Sequence, residues 1–323
     1  SCIRDELKKV LPASYPDALE SMVQALPPEL DPTKTDDDFG DFILAPLAEF
    51  VAVYGCNKNY LDISFAALRE MTKRFSAEDA IRYFINAVPE ETLNFLIEGS
   101  SSKNYHVRRL SSEGLRPKLP WCIAITIDYH AAFPILDVLH ADPTRYVTRS
   151  VANHMNDISK FDPDLVIKTL KKWKTEGRQN PKEFMFIAQH SLRTLVKQGH
   201  SDALELLGYP PVPKVGIENI DIHTPQVIIG ESLIFSFDLI SLQDQNLMID
   251  YIVHHQMKSG DTRPKVFKIK KLSCTKGEKI SLSKKQPFRI MTTKKLYPGI
   301  HHMELQINGT KFPLGSFHLV EPS

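Results

Sequence analysis

Cysteine is scarce and scattered. The four in this 323-residue chain, Cys2, Cys56, Cys122 and Cys274, show no CxxC spacing. That excludes a disulfide framework and a cysteine-based metal site, and makes a reducing, cytoplasmic setting the expectation. No apolar run approaches the ~18 residues of a membrane span. The opening SCIRDELKKV holds no apolar signal segment, so no membrane partner is expected. The first residue is Ser rather than Met, which is expected of a trimmed start. There is no GxGxxG and no P-loop. Histidine is plentiful, but His254-His255 and His301-His302 are adjacent pairs in alternating segments, where neighbours point to opposite faces of a strand. No metal and no cofactor are expected.

Overall charge is also nearly absent, at +1, and says nothing about nucleic acid. Its distribution says more. Residues 1–70 carry 6 basic and 13 acidic side chains, residues 71–200 carry 19 and 14, and residues 201–323 carry 15 and 12. A positive middle behind an acidic start fits a local basic surface.

What is present is a long helical region. Apolar residues recur at three and four, as at Leu165, Leu170 and Trp173. Asp142-Pro143, Asp162-Pro163 and Asn180-Pro181 each place a capping side chain before a proline, the pattern of a helix start. Pro89 followed by Glu90-Glu91 is another, with acids in the first turn. A repeat of about 40 residues runs through the region, the sign of a HEAT-like solenoid. HVRRLSSEGLRPKLPW (106–121) aligns with YVTRSVANHMNDISKF (146–161), pairing Arg109 with Arg149 and Pro117 with Asp157. An earlier copy, LREMTKRFSAEDAIRYF (68–84), puts Glu78 at the Asp157 position, and a looser later one, FIAQHSLRTLVKQG (186–199), carries Arg193. Equivalent positions then line one concave face. Arg109, Arg149 and Arg193 are expected as a phosphate-binding stripe there, with Arg116, Lys118 and Arg82 beside it; the bland reading of each is a solvated helix face. Arg108 and Arg109 are neighbours and point about 100° apart on a helix, so both do not face one ligand.

After Gly208 the pattern changes. Tyr209-Pro-Pro-Val-Pro213 is a stiff linker. Alternating segments follow: IENIDIH, VIIGESLIFSFDLIS, NLMIDYIVHHQ, KVFKIKKL, KISLSK, FRIMTT, HHMELQING and GSFHLVEP. Such strands over roughly 110 residues predict an antiparallel immunoglobulin-like β-sandwich. The expected organisation is therefore a HEAT-like α-helical solenoid over 1–208, a linker over 209–214 and a β-sandwich over 215–323. Lys265, Lys268, Lys270, Lys271, Lys284 and Lys285 make the sandwich strands lysine-rich, for contact with a DNA groove or for solubility.

RRLSSEGLRPKLPW, SVANHMNDISK and TKRFSAEDAIRYF closely resemble the AlkC-type DNA alkylation repair proteins, HEAT-like-repeat DNA glycosylases of the AlkC/AlkD superfamily, some with a C-terminal immunoglobulin-like domain. The resemblance covers about residues 10–208 in order and spacing. Members commonly begin with a further helical segment, and many read Arg-Pro-Phe where this chain has Arg82-Tyr83-Phe84. The resemblance implies a base-excision enzyme that cleaves the N-glycosidic bond of alkylated bases, above all N3-methyladenine, in double-stranded DNA, without flipping the base into a pocket. It also implies that Glu78, Trp121 and Asp157 work at the deoxyribose. A monomer is expected. The alternatives are a catalytically inactive DNA-binding relative and a HEAT-repeat interaction scaffold.

Each of the three has a bland reading. Ser76-Ala77-Glu78-Asp79 has the form of a capping box, with Ser76 as N-cap. Trp121 could seal the core between repeats. Asp157 stands near the end of its helix, facing the negative end of the dipole at a cost of ~0.3–1 kcal/mol; Arg149 or Lys160 could compensate for it, or catalysis could require it.

Overall fold

The computed structural model describes residues 2–36, 39–290 and 295–322. Among the described residues thirteen α-helices come first: α1 (Cys2–Val10), α2 (Tyr15–Gln24), α3 (Ala45–Gly55), α4 (Leu61–Thr72), α5 (Glu78–Ala87), α6 (Pro89–Gly99), α7 (Tyr105–Glu113), α8 (Phe133–Leu139), α9 (Arg145–Ile158), α10 (Pro163–Glu176), α11 (Pro181–Ser191), α12 (Arg193–Gln198) and α13 (Ser201–Leu206). Eight strands follow: β1 (Val215–Ile222), β2 (Gln226–Ile228), β3 (Ser232–Ser241), β4 (Gln245–Gln256), β5 (Thr262–Cys274), β6 (Lys279–Pro287), β7 (Gly299–Ile307) and β8 (Thr310–Val320).

The helix starts follow the local chemistry closely. Proline opens α6, α10 and α11. The Asp162 carboxylate accepts from Leu165 N–H and the Asn180 side chain from Lys182 N–H, both at 2.9 Å, satisfying amides that a helix start leaves without partners. Two expected starts are moved by tertiary contacts. Helix α9 begins at Arg145 rather than Pro143, because Asp142 accepts from Thr144 N–H at 2.8 Å and from Arg108 Nε at 2.5 Å. The capping box at Ser76 does not form. Ala77 is the N-cap of α5, and the Ser76 hydroxyl donates to the Glu78 carboxylate at 2.7 Å instead.

The repeat register is realised as stacked helices: α7 packs on α9 and α9 on α11. Val147, Val151, Met155 and Ile158 of α9 are fully buried, each contributing about 1.5–3 kcal/mol of apolar transfer. The same helix also buries Ser150, His154, Asn156 and Asp157, and buried polar groups require partners. Ser150 Oγ lies within hydrogen-bond distance of Ser112 Oγ at 3.0 Å, and Thr194 Oγ1 donates to Asn156 Oδ1 at 2.9 Å. The repeats are thus joined by polar as well as apolar contacts.

The chain divides into two compact units, 1–194 and 195–323. The division falls within α12, ahead of the expected Pro-rich linker. That stretch is held to the second unit: Asn246 Nδ2 donates to Gly208 O at 3.1 Å and Asn308 Nδ2 to Pro210 O at 3.0 Å. The second unit is a sandwich of a three-stranded sheet, β1-β3-β6, and a five-stranded sheet, β2-β8-β7-β4-β5. All pairings are antiparallel except β2 with β8. Leu233, Phe235, Phe237 and Leu239 of β3 meet Leu247, Ile249, Tyr251 and Val253 of β4 in one core, the alternation expected of sandwich strands. VIIGESLIFSFDLIS divides into β2 and β3 around Gly230, whose φ of 110° favours glycine. The expected strand FRIMTT runs into residues 291–294, which lie outside the described residues; its described part, Phe288–Ile290, is not in a strand. Strand β5 is an edge, and Lys265, Lys268, Lys270 and Lys271 on it are all exposed, as expected of an edge strand protected against further pairing.

Candidate active site

Helix α7 is the spine of the site. It is capped by Asn104, whose side chain accepts from His106 N–H at 2.9 Å, and it buries most of its residues, including Arg109 and Glu113. After Glu113 the chain turns at Gly114, which lies so close to α5 that a Cβ there would come within 2.6 Å of Ile81 Cγ2. A glycine is what permits that approach. Leu115 and Leu119 anchor the next residues in the core, while Lys118 is exposed.

Arg109 Nη1 donates to Ser76 Oγ at 3.0 Å and to Glu78 Oε2 at 2.7 Å. Its Nη2 lies 3.7 Å from Glu113 Oε1, and its guanidinium sits 4.5 Å above the Tyr146 ring, within cation–π range. Arg116 Nη1 donates to Glu113 Oε1 at 2.5 Å, and its Nε donates to Asp157 Oδ2 at 2.9 Å. Lys160 Nζ donates to Asp157 Oδ1 at 2.9 Å. A single chain of charges therefore runs Glu78, Arg109, Glu113, Arg116, Asp157, Lys160, alternating in sign and summing to zero. It joins the two carboxylates of interest through α7 and the turn after it.

Burial works against the central charges and their partners overcome it. Burial alone would raise the Glu113 carboxyl, but Arg109 and Arg116 hold it below the usual carboxylate range. Burial likewise opposes the charge on Arg109 and Arg116, and the facing carboxylates raise both above the ordinary guanidinium value. His154, fully buried and 3.0 Å from Ser112 O through Nδ1, is driven down to about 4 by burial and by Arg116. It is neutral at physiological pH.

The two carboxylates are not equivalent. The side chain of Asp157 is 4% exposed, and both its oxygens accept from cations. The side chain of Glu78 is 26% exposed. Its Oε2 takes both donors, and no donor among the described residues reaches Oε1. Trp121 does not seal a core. It is 102% exposed and stands at φ 69°, a region a bulky residue occupies only under compulsion. With its side chain wholly in water, packing of the indole does not account for that backbone conformation.

The arginines expected as one surface stripe are divided by the structure. Arg82 is corrected to an interior position: it is 1% exposed, and its guanidinium bonds backbone carbonyls. Arg109 and Arg116 are also buried and ion-paired, because neighbouring repeats supply carboxylates at their tips. Arg149 pairs with Asp36 at partial exposure. Arg193 donates to Asn153 Oδ1 at 3.1 Å and to His190 O at 2.5 Å. Burial lowers the neighbouring His190 to about 4, with Arg193, Arg149 and Arg116 acting in the same direction. Arg108 turns away to Asp142, as the 100° helical step required. The one member the sequence did not single out is Glu113, and the signal for it was its position four residues after Arg109.

Residues 216–321 match the family described as the C-terminal Ig-like domain of the uncharacterised protein YhaZ. The chain is 37% identical over 264 residues to the uncharacterized protein YhaZ of Bacillus subtilis (strain 168), covering 81% of this chain and 72% of that protein. It is also similar to the structure of the Pseudomonas fluorescens alkylpurine DNA glycosylase AlkC bound to DNA containing an abasic site analog. There the TM-score is 0.86 at 35% identity, covering 98% of this chain and 86% of that one. No helix among the described residues is long and apolar enough to cross a membrane. With this likeness spanning both units, the chain belongs to the AlkC-type family of helical-repeat DNA glycosylases that carry a C-terminal immunoglobulin-like domain.

Proposed function

We propose that the protein excises cationic alkylated bases, chiefly N3-methyladenine, from double-stranded DNA by hydrolysing the N-glycosidic bond while the base stays in the stack. The observation that carries this is the charge chain that joins Glu78 to Asp157, together with a fully exposed, strained Trp121.

N3-methyladenine already bears a positive charge, so it leaves without an acid to protonate it. As the C1′–N bond breaks, its electron pair goes to the base and positive charge builds on the deoxyribose. Fixed carboxylates facing that charge stabilise it without reorganising, which is commonly the main source of rate enhancement in such catalysis. Water then adds at C1′ and gives up a proton. Glu78 suits that step, since its side chain is partly exposed and its Oε1 accepts from no donor among the described residues, and a carboxylate within hydrogen-bond reach can orient and deprotonate water. Asp157, held at both oxygens, suits electrostatic stabilisation. The Trp121 indole face favours a sugar acquiring positive charge, as in any cation–π contact. Lys118, which is exposed, and Arg149 and Arg193, which are partly exposed, suit contact with DNA phosphates, Arg149 doing so while paired with Asp36.

The test is release of methylated bases from methylated duplex DNA by the wild type, with Asp157→Asn and Glu78→Gln alongside. Release of N3-methyladenine that falls by about 10²-fold or more in either variant is the expected outcome. No release by the wild type, with salt-dependent DNA binding retained, would overturn the enzymatic reading in favour of a DNA-binding relative.

A further inference from the structure

Arg82 is a buried cation that the proposed chemistry does not use. It is 1% exposed, no carboxylate is ion-paired with it among the described residues, and burial lowers its hold on its proton below the ordinary guanidinium value. Such a charge is expensive to keep, so its contacts matter. Nε donates to Ile123 O at 2.6 Å, and Nη1 donates to Gly114 O at 3.0 Å and to Arg116 O at 2.9 Å. These carbonyls lie on both sides of Trp121.

The same face of α5 continues the pattern. Asn86, four residues on, donates from Nδ2 to Ala124 O at 2.9 Å and accepts from Thr126 N–H at 3.0 Å. Residues at this spacing share one helix face. Between the held segments Trp121 has a side chain entirely in solvent, so its own contacts cannot be what keeps it at φ 69°. Strained residues persist only where the surroundings over-determine them.

We infer that Arg82 and Asn86 form a clamp on α5 that holds residues 114–126 in shape and so presents Trp121 to the DNA. They are positioning residues and do not touch the substrate. The functional half of this rests on the glycosylase reading; the mechanical half does not. The test uses the full chain with two variants. Asn86→Ala is at an exposed position and leaves the core intact, and Arg82→Lys keeps the charge but loses the fork that reaches three carbonyls. Trp173, the other tryptophan, is 1% exposed, so changes in time-resolved tryptophan anisotropy report Trp121. Both variants are expected to show faster Trp121 motion, and single-turnover base release about 10- to 100-fold slower, the scale of a small misplacement at a reacting centre. Duplex affinity is expected to hold, because Lys118, Arg149 and Arg193, the cations proposed for the phosphates, are unchanged. Unaltered Trp121 motion in both variants would overturn the clamp whatever the enzyme does. Faster motion with unaltered release would overturn its role in catalysis. If the wild type releases no base, the anisotropy still decides the clamp by itself.

Discussion

Glu113 offers the sharpest test of the charge chain. It is 3% exposed and is the shared counter-ion of Arg109 and Arg116, with Ser150 Oγ donating to its other oxygen at 2.5 Å. Glu113→Gln keeps the shape and a carbonyl acceptor but takes the network from neutral to a net positive charge. Breaking a buried pair by removing one partner costs about 3–5 kcal/mol. Here the amide still accepts hydrogen bonds, and Glu78 and Lys160 at the two ends are partly solvated, which discounts the loss to roughly 2–4 kcal/mol. For a unit of this size that is a fall in Tm of roughly 5–15 °C, read by far-UV circular dichroism, where the helical unit dominates. The pH dependence adds a second signature. The Glu113 carboxyl is held below its ordinary value near 4.5, so its contribution is present above that pH and is lost as pH falls through the lower folded value. The gap between wild type and variant should therefore close in acid. A double-mutant cycle with Arg116→Met isolates the coupling. A Tm for Glu113→Gln within about 1 °C of wild type at neutral pH, with no coupling to Arg116, would refute the argument that the chain of charges is held together through this residue.

Three further outcomes follow from the same geometry. Trp121→Gly should leave Tm unchanged or slightly raised, since it removes no packing and relieves a positive φ worth about 1–2 kcal/mol, while base release collapses; thermal unfolding and a single-turnover assay on one preparation show both. His154 is depressed to about 4 from an ordinary 6.5, so the unfolded chain binds the extra proton between those values. Its stabilising contribution is complete above 6.5 and is lost as pH falls to about 4, and His154→Gln should flatten roughly 2–4 kcal/mol of that acid loss in denaturant titrations. DNA binding should weaken linearly in log salt, and Arg149→Ala and Arg193→Ala should each reduce the slope by about one; a slope unchanged in both would remove them from the phosphate contacts.

Much of this fold is legible in the chain because its rules are local. The caps at Asp162 and Asn180, the proline starts, and the alternation of strands such as β3 depend on residues within a few positions of one another. The three candidate catalytic residues are reached through motifs, and the structure brings two of them into one network and leaves the third bare in solvent. The cations depart from expectation for a definite reason. A run such as Arg108, Arg109, Arg116 and Lys118 advertises positive charge, but the order of residues carries no record of which charges find buried partners. Arg82 goes to backbone carbonyls across the Trp121 segment. Ser76, which has the form of a cap, serves the Glu78 carboxylate instead. Glu113 has the spacing of one more i,i+4 surface pair. Helices, sandwich strands and the identity of the candidate reacting side chains are thus written in short stretches of the chain. Which arginines are spent inside is not, because the pairs that settle it span 31 residues from Glu78 to Arg109 and 41 from Arg116 to Asp157, and exist only once one repeat is stacked on the next.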